Sequence, residues 1–101
     1  MNDADFVWIQ EWYQTQCDGD WEHAHGIIIE TVDNPGWYVT IDLTETYLED
    51  ANFDKIEEDK NDLDWFFCLK KDSKFEASCA PCKLNTVFKI FRKWAENCME
   101  E

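Results

Sequence analysis

The chain has 101 residues, of which 45% are hydrophobic and 16% aromatic, and its formal net charge is −14. This length fits one compact domain with one hydrophobic core, so we expect a single domain over residues 1–101. The negative charge disfavours direct binding to nucleic acid or to anionic membranes, because both present negative phosphates.

The first predicted element is a helix from Ala4 to Gln16, with Asp3 or Asn2 as its N-cap. Its large apolar side chains recur at helical spacing and should face a sheet. They are Phe6, Ile9, Trp12 and Tyr13.

A hairpin is predicted next. Residues 25–33 are predicted as a strand, and its central run Ile27-Ile28-Ile29 is apolar on both faces, as expected for a central strand covered by a helix. Asn34-Pro35-Gly36 supplies the turn, with Gly36 free to take a positive φ. From Trp37 to Leu43, apolar and polar residues alternate, so this segment is predicted as the partner strand.

The acidic segment from Thr44 to Asp62 lacks a clear period and is predicted as a loop with one short edge strand. Alternation returns in Asp64–Lys70, and Lys71-Asp72-Ser73 can turn that strand into another over Lys74–Cys79. A second hairpin follows from this pattern.

The last segment has the strongest helical periodicity, with apolar residues at steps of three and four from Leu84 to Cys98. The predicted fold class is therefore α+β: a small antiparallel sheet of four to five strands with an N-terminal and a C-terminal helix packed on it. Five residues are predicted to be buried: Trp37, Ile41, Trp65, Phe88 and Phe91.

Asp18-Gly19-Asp20-Trp21-Glu22 begins like a calcium-binding loop. His23 and Ile29 occupy the positions where an EF-hand has its glycine and its bidentate glutamate, so the pattern is incomplete. A tight connection is the better prediction, with Gly19 in a special backbone conformation, an Asp side chain bonding nearby N–H groups, and Trp21 closing the edge of the core.

Two runs of residues resemble a family signature: Cys17-Asp18-Gly19-Asp20-Trp21-Glu22-His23, followed by Gly26, and Asp33-Asn34-Pro35-Gly36-Trp37. A Trp and a short helix precede the first run, and an Ile-rich strand joins the two. The pattern is similar to the immunity protein 53 family of bacterial polymorphic-toxin systems, from about Phe6 to about Trp94. The resemblance implies an inhibitor that binds a cognate protein toxin, not an enzyme, and no cofactor or metal is expected.

Charge suggests where that toxin would bind. Residues 1–69 hold 18 of the 23 acids but only two of the nine bases, and such a surface attracts basic proteins. The acids can also simply keep an aromatic-rich domain soluble. A basic nuclease is one candidate toxin, and a peptidase or a deaminase remains open. The predicted toxin-binding residues are Asp18, Asp20, Glu22, Asp42, Glu45, Glu49, Asp50 and Asp54, with Tyr38 and Tyr47 as aromatic anchors.

Two alternatives remain open at this stage. His23 and His25, with the C-x-x-C pair Cys79 and Cys82, would make a four-ligand zinc set by count, or a thiol site. An acidic adaptor for a basic protein is the other.

The five cysteines are odd in number, whereas a secreted disulfide framework would normally pair them. No signal-peptide pattern or membrane-span-length apolar run is present. We therefore expect a cytoplasmic protein with reduced thiols.

Overall fold

The computed structural model describes residues 4–99, so the predicted N-cap at Asp3 or Asn2 lies outside the described residues. Within that range, three helices and five strands form an α+β domain, as predicted. In chain order they are α1 (Ala4–Gln16), α2 (Trp21–Ala24), β1 (Ile27–Val32), β2 (Gly36–Asp42), β3 (Ile56–Asn61), β4 (Asp64–Lys71), β5 (Lys74–Cys79) and α3 (Leu84–Met99).

The strands form one antiparallel sheet in the order β1-β2-β5-β4-β3. The short edge strand predicted within the acidic segment is confirmed as β3. The prediction of a covered, central first strand is wrong, because β1 pairs with β2 alone and forms the opposite edge. Ile28 and Ile29 are accordingly 58% and 39% exposed. A run of isoleucines is compatible with either position, since strand order depends on distant partners.

Both hairpins form where they were predicted. In the first, Gly36 does not take the positive φ that we expected. Its hydrogen side chain matters for another reason, because a Cβ at this position would lie 2.3 Å from the carbonyl oxygen of Cys79. In the second, Asp72 and Ser73 have φ of 54° and 63°, the left-handed pair of a type I′ turn.

Helices α1 and α3 cover one face of the sheet, and the core lies between them and the three middle strands. Val39 and Ile41 of β2 face Ala77 and Phe75 of β5 in register and are buried with them. Helix α3 adds its periodic apolar face as predicted, with Val87, Phe88, Phe91 and Ala95 all buried.

Several burial predictions are wrong. Trp37 is only partly buried at the rim of the core, and Trp65 lies on the uncovered face of the sheet, where it packs over Gly36. In α1, Ile9 and Trp12 are buried as expected, but Phe6 and Tyr13 are 44% and 37% exposed because α1 lies along an edge of the sheet. We call the uncovered surface of the sheet the open face; it carries the side chains of Tyr38, Trp65, Phe67 and Glu76.

Candidate functional site

Two acid-rich segments meet at one end of the sheet. The turn of residues 18–22 follows α1 and includes the first two residues of α2, and the loop of residues 44–50 follows β2. The indole Nε1 of Trp21 donates a hydrogen bond of 2.8 Å to the carbonyl oxygen of Thr44 and so joins them. We call this surface, residues 18–22 and 44–50, the acidic end.

The 18–22 turn is held by its own carboxylates; the sequence predicted this role for an Asp side chain but not for Glu22. Gly19 has a φ of 97°, a conformation that favours glycine. Asp18 Oδ1 accepts hydrogen bonds of 2.9 Å from the N–H groups of Asp20 and Trp21, and these bonds hold the pKa of Asp18 below its ordinary value. Glu22 accepts from the N–H groups of Asp18 and Gly19. Asp18 and Glu22 therefore stabilise the turn as well as giving it charge.

Asp42 lies beneath the acidic end and is 9% exposed. Its Oδ2 is 2.8 Å from Nδ1 of His25, and its Oδ1 accepts a 2.9 Å hydrogen bond from the N–H of Thr44. Burial by itself would raise the pKa of Asp42, but the hydrogen bonds from Thr44 and His25 outweigh it and lower the pKa. This carboxylate ties α2 and the 44–50 loop to β2.

The 44–50 loop has a strained start and an ordered end. Glu45 has a φ of 63°, which is uncommon for a residue with a side chain. Its N–H donates to Oε1 of Glu49, and Nζ of Lys70 donates to the carbonyl oxygens of Glu49 and Ala51 at 2.6 Å each. The loop therefore has a defined shape even though most of its side chains are polar.

Exposed carboxylates that have no hydrogen bond or ion pair within residues 4–99 are the ones available to a partner. At the acidic end these are the side chains of Asp20, Glu45 and Asp50. Asp54 is equally exposed but lies beyond Phe53, just before β3. The eight predicted acids thus comprise four available ones and four that also hold the structure: Asp18, Glu22, Asp42 and Glu49.

The two predicted aromatic anchors lie apart. Tyr47 belongs to the acidic end, is 43% exposed, and donates its hydroxyl to the carbonyl oxygen of Ala95 at 3.2 Å. Tyr38 is half-buried on the open face, where its hydroxyl donates to Glu76 at 3.2 Å. The structure therefore brings only Tyr47 together with the acids of the loop.

The residues of the zinc or thiol alternative are not brought together. His25 bonds Asp42 at one end of β2, whereas Cys79 pairs with Trp37 at the other. Trp37 and Asp42 are five steps apart along the strand, roughly 17 Å at about 3.3 Å per residue. Cys82 is exposed, 3.4 Å from the carbonyl oxygen of Leu63.

The chemistry of Cys79 also differs from that of a reactive thiol. Burial raises its pKa to about 11, so the thiolate is disfavoured at neutral pH. Within residues 4–99 there is no group of three or more His, Cys, Asp or Glu arranged to hold a metal ion. Over the same residues, none of the helices has the length and apolar character needed to cross a membrane.

Sequence reasoning missed one surface beside the acidic end. The exposed edge of β1 and the flank of α1 enclose an apolar groove of about 470 Å³ lined by Phe6, Tyr13, Ile27 and Ile29, among others. The signal was present in the three isoleucines, but it was interpreted as a covered strand.

Comparisons with known proteins are consistent with the resemblance seen in the sequence. A family model described as immunity protein 53 matches residues 6–96, which is most of the chain. No curated protein and no solved structure matches the chain.

Proposed function

The chain belongs to the immunity protein 53 family, and we propose that it binds a cognate bacterial toxin and neutralises it by covering the toxin's active or substrate-binding surface with the acidic end. An immunity protein family implies a toxin as partner and is generally non-enzymatic. The acidic contact and the mode of inhibition are our proposal.

The observation that supports it most directly is the set of available carboxylates at the acidic end. Asp20, Glu45 and Asp50 are exposed and have no ion-pair partner among the described residues, and the chain contains no Lys or Arg before Lys55. Lys70 contacts the 44–50 loop, but its Nζ is bonded to the carbonyl oxygens of Glu49 and Ala51 and to none of these three carboxylates. A partner that docks here therefore meets three carboxylates that no base neutralises directly. Such a surface speeds encounter with a basic protein and repels acidic ones.

This charge favours a toxin with a basic substrate-binding surface. An enzyme that cleaves or modifies nucleic acid needs bases to hold phosphates, so we propose a basic nuclease as the cognate toxin. The carboxylates of the acidic end would occupy the positions that phosphates take in its substrate complex. The immunity protein itself binds no nucleic acid in this account, and it acts in the cytoplasm, where it meets the toxin.

A contact through an aromatic side chain would also slow dissociation of the complex. Exposed charges mainly raise the association rate, whereas a desolvated aromatic side chain slows dissociation. Tyr47 is suited to this role because its ring is 43% exposed among the acids and its hydroxyl is anchored on Ala95. Tyr38, on the open face, would contact only a partner that extends over the sheet.

An adaptor for a basic protein outside any toxin system would need the same surface, and a cell-based experiment separates the two. The product of the reading frame beside this chain's gene is expressed in cells with and without the chain. We expect that product to stop growth alone, growth to be restored when the chain is present, and both proteins to purify as one complex.

Growth arrest that persists despite equal expression of the chain would contradict the proposal, and so would the absence of a complex. A matched control is a chain with Phe91→Ala, which removes a buried core ring and replaces none of the acids of the acidic end. Protection that survived complete unfolding of this variant would show that the folded surface is not required.

A further inference from the structure

The two edge strands of the sheet, β1 and β3, differ in how strongly they prevent pairing with a strand of another protein. The β3 edge carries four consecutive charged residues, Glu57 to Lys60, and its pairing with β4 is irregular between Asp59 and Asn61. Charges and bulges of this kind keep foreign strands from pairing. The β1 edge has three isoleucines instead, two of them well exposed. Of the two edges, β3 is the better protected.

The backbone of β1 is also correctly oriented for pairing. The N–H of Asp42 donates to the carbonyl oxygen of Gly26, which makes residues 26, 28 and 30 the hydrogen-bonded partners of β2. Successive residues of a strand direct their N–H and C=O groups to opposite sides, so those of Ile27, Ile29 and Thr31 face away from β2. A row of backbone donors and acceptors is therefore free at this edge.

On the helix side of the same edge, side chains form a groove that can hold apolar side chains of another strand. It measures about 470 Å³ and runs between α1 and β1, where Phe6, Tyr13 and Ile29 are 37–44% exposed. A strand added next to β1 would place every second side chain in this groove. The free backbone edge and the groove thus favour the same occupant, an extended segment with apolar residues at alternate positions.

Charge indicates which protein supplies the extended segment. The residues that line the groove lie between Phe6 and Ile29, a stretch that contains four acids and no Lys or Arg. On the open-face side of β1, Glu30 is exposed and has no ion pair in the described structure. A second copy of the chain would bring another net charge of −14 against this edge, whereas a basic partner would be attracted to it.

We propose that the β1 edge binds an edge strand of the basic toxin by strand addition. The added strand places apolar side chains in the groove beside Ile27 and Ile29, and a basic side chain opposite Glu30. This inference rests on the proposed function and specifies which contact slows dissociation of the complex. Backbone pairing and apolar burial supply affinity that exposed charge does not.

A matched pair of proline variants tests it. Ile29→Pro removes an N–H that faces the free edge of β1, and Glu57→Pro removes the equivalent outward N–H of β3, since Ile56 and Glu58 are the residues bonded to β4. Neither change breaks a bond within the sheet. We expect Ile29→Pro to weaken binding of the purified neighbouring-frame product by at least about tenfold, and Glu57→Pro by less than about twofold.

Amide hydrogen exchange on the parent chain gives a readout that needs no variant. When that product binds, exchange should slow at the outward amides of Ile27, Ile29 and Thr31, while Ile28 and Glu30, already bonded to β2, change little. Unchanged exchange at the three outward amides within a stable complex would overturn the inference and leave the proposed function intact. Equal binding by the two proline variants would do the same.

Two further outcomes are distinguishable. If the chain alone forms a dimer in which the three outward amides are already slow, the edge belongs to a second copy and the inference is wrong. If no complex forms with the parent chain, both the inference and the proposed function fail.

Discussion

Trp21 and Thr44 are linked by the 2.8 Å hydrogen bond from the indole Nε1 to the carbonyl oxygen, across 23 residues of chain. This contact fixes the 18–22 turn against the 44–50 loop. Trp21→Phe should keep most of the buried ring and leave the carbonyl without that donor, at a cost of about 1–3 kcal/mol in the free energy of unfolding. Chemical denaturation measures that cost.

Trp94→Phe is the matched control, because Trp94 Nε1 donates an equally short bond to the carbonyl oxygen of Asn52, two residues beyond the 44–50 loop, and that bond does not join the loop to the 18–22 turn. Both variants should lose stability, but only Trp21→Phe should slow association with the toxin. Equal effects of the two on association would show that the alignment of the two acidic segments is not important.

Gly36 should resist even a single added methyl group. A Cβ there would lie 2.3 Å from the carbonyl oxygen of Cys79 and 3.2 Å from the ring of Trp65. Gly36→Ala should therefore force β2 and β5 apart at this end and cost about 1–3 kcal/mol. Gly26→Ala is the control, because a Cβ added at Gly26 would have nothing within 4 Å. Equal melting temperatures for the two variants would contradict this prediction.

Phe91 is the best single test of the core. It is fully buried, and its ring contacts those of Trp8, Trp12, Phe75 and Trp94. Phe91→Ala should cost about 3–5 kcal/mol by opening a cavity, a large share of the roughly 5–15 kcal/mol that stabilises a domain. Phe6→Ala, at an exposed site, should cost far less. Calorimetry that finds both variants equally stable would exclude the described packing of α3.

Stability should depend on acid through Asp42. Its pKa is lowered from the ordinary value of 3.8 in the folded chain, so the unfolded chain binds this proton more readily. The stabilisation is complete above that value and is lost as the pH falls through the lower folded pKa. Asp42→Asn should be less stable than the parent at neutral pH and should lose less stability on acidification. Parallel curves of unfolding free energy against pH would contradict this account.

Local patterns predicted most of the elements. Alternation in residues 37–43 and 64–70 located strands, and the steps of three and four after Leu84 located α3, because each period reports which side chains one element buries. The turn at Gly19 was equally local, since it depends on neighbouring Asp18 and Glu22.

The order of the strands could not be predicted in this way. The position of β5 between β2 and β4 places β1 at an edge, and this depends on pairings such as Ile41 with Phe75. The same non-local origin explains the errors at Trp65 and Ile28. The bond between His25 and Asp42 is another example, because neither residue has a local pattern that indicates the other.

The acidic end is proposed to steer the chain to a basic toxin. The most direct test of that proposal is the association rate of the purified toxin with three chains, measured at low and high salt. The first is the parent, and the second carries Asp20→Lys, Glu45→Lys and Asp50→Lys. The third, a control, carries Glu96→Lys, Glu100→Lys and Glu101→Lys, which changes the net charge equally; its last two positions lie outside the described residues.

Reversal at the acidic end should slow association at low salt by about tenfold or more and flatten its salt dependence. The control should stay within about threefold of the parent. Rates that are insensitive to salt in the parent, or an equal slowing of both variants, would contradict the claim.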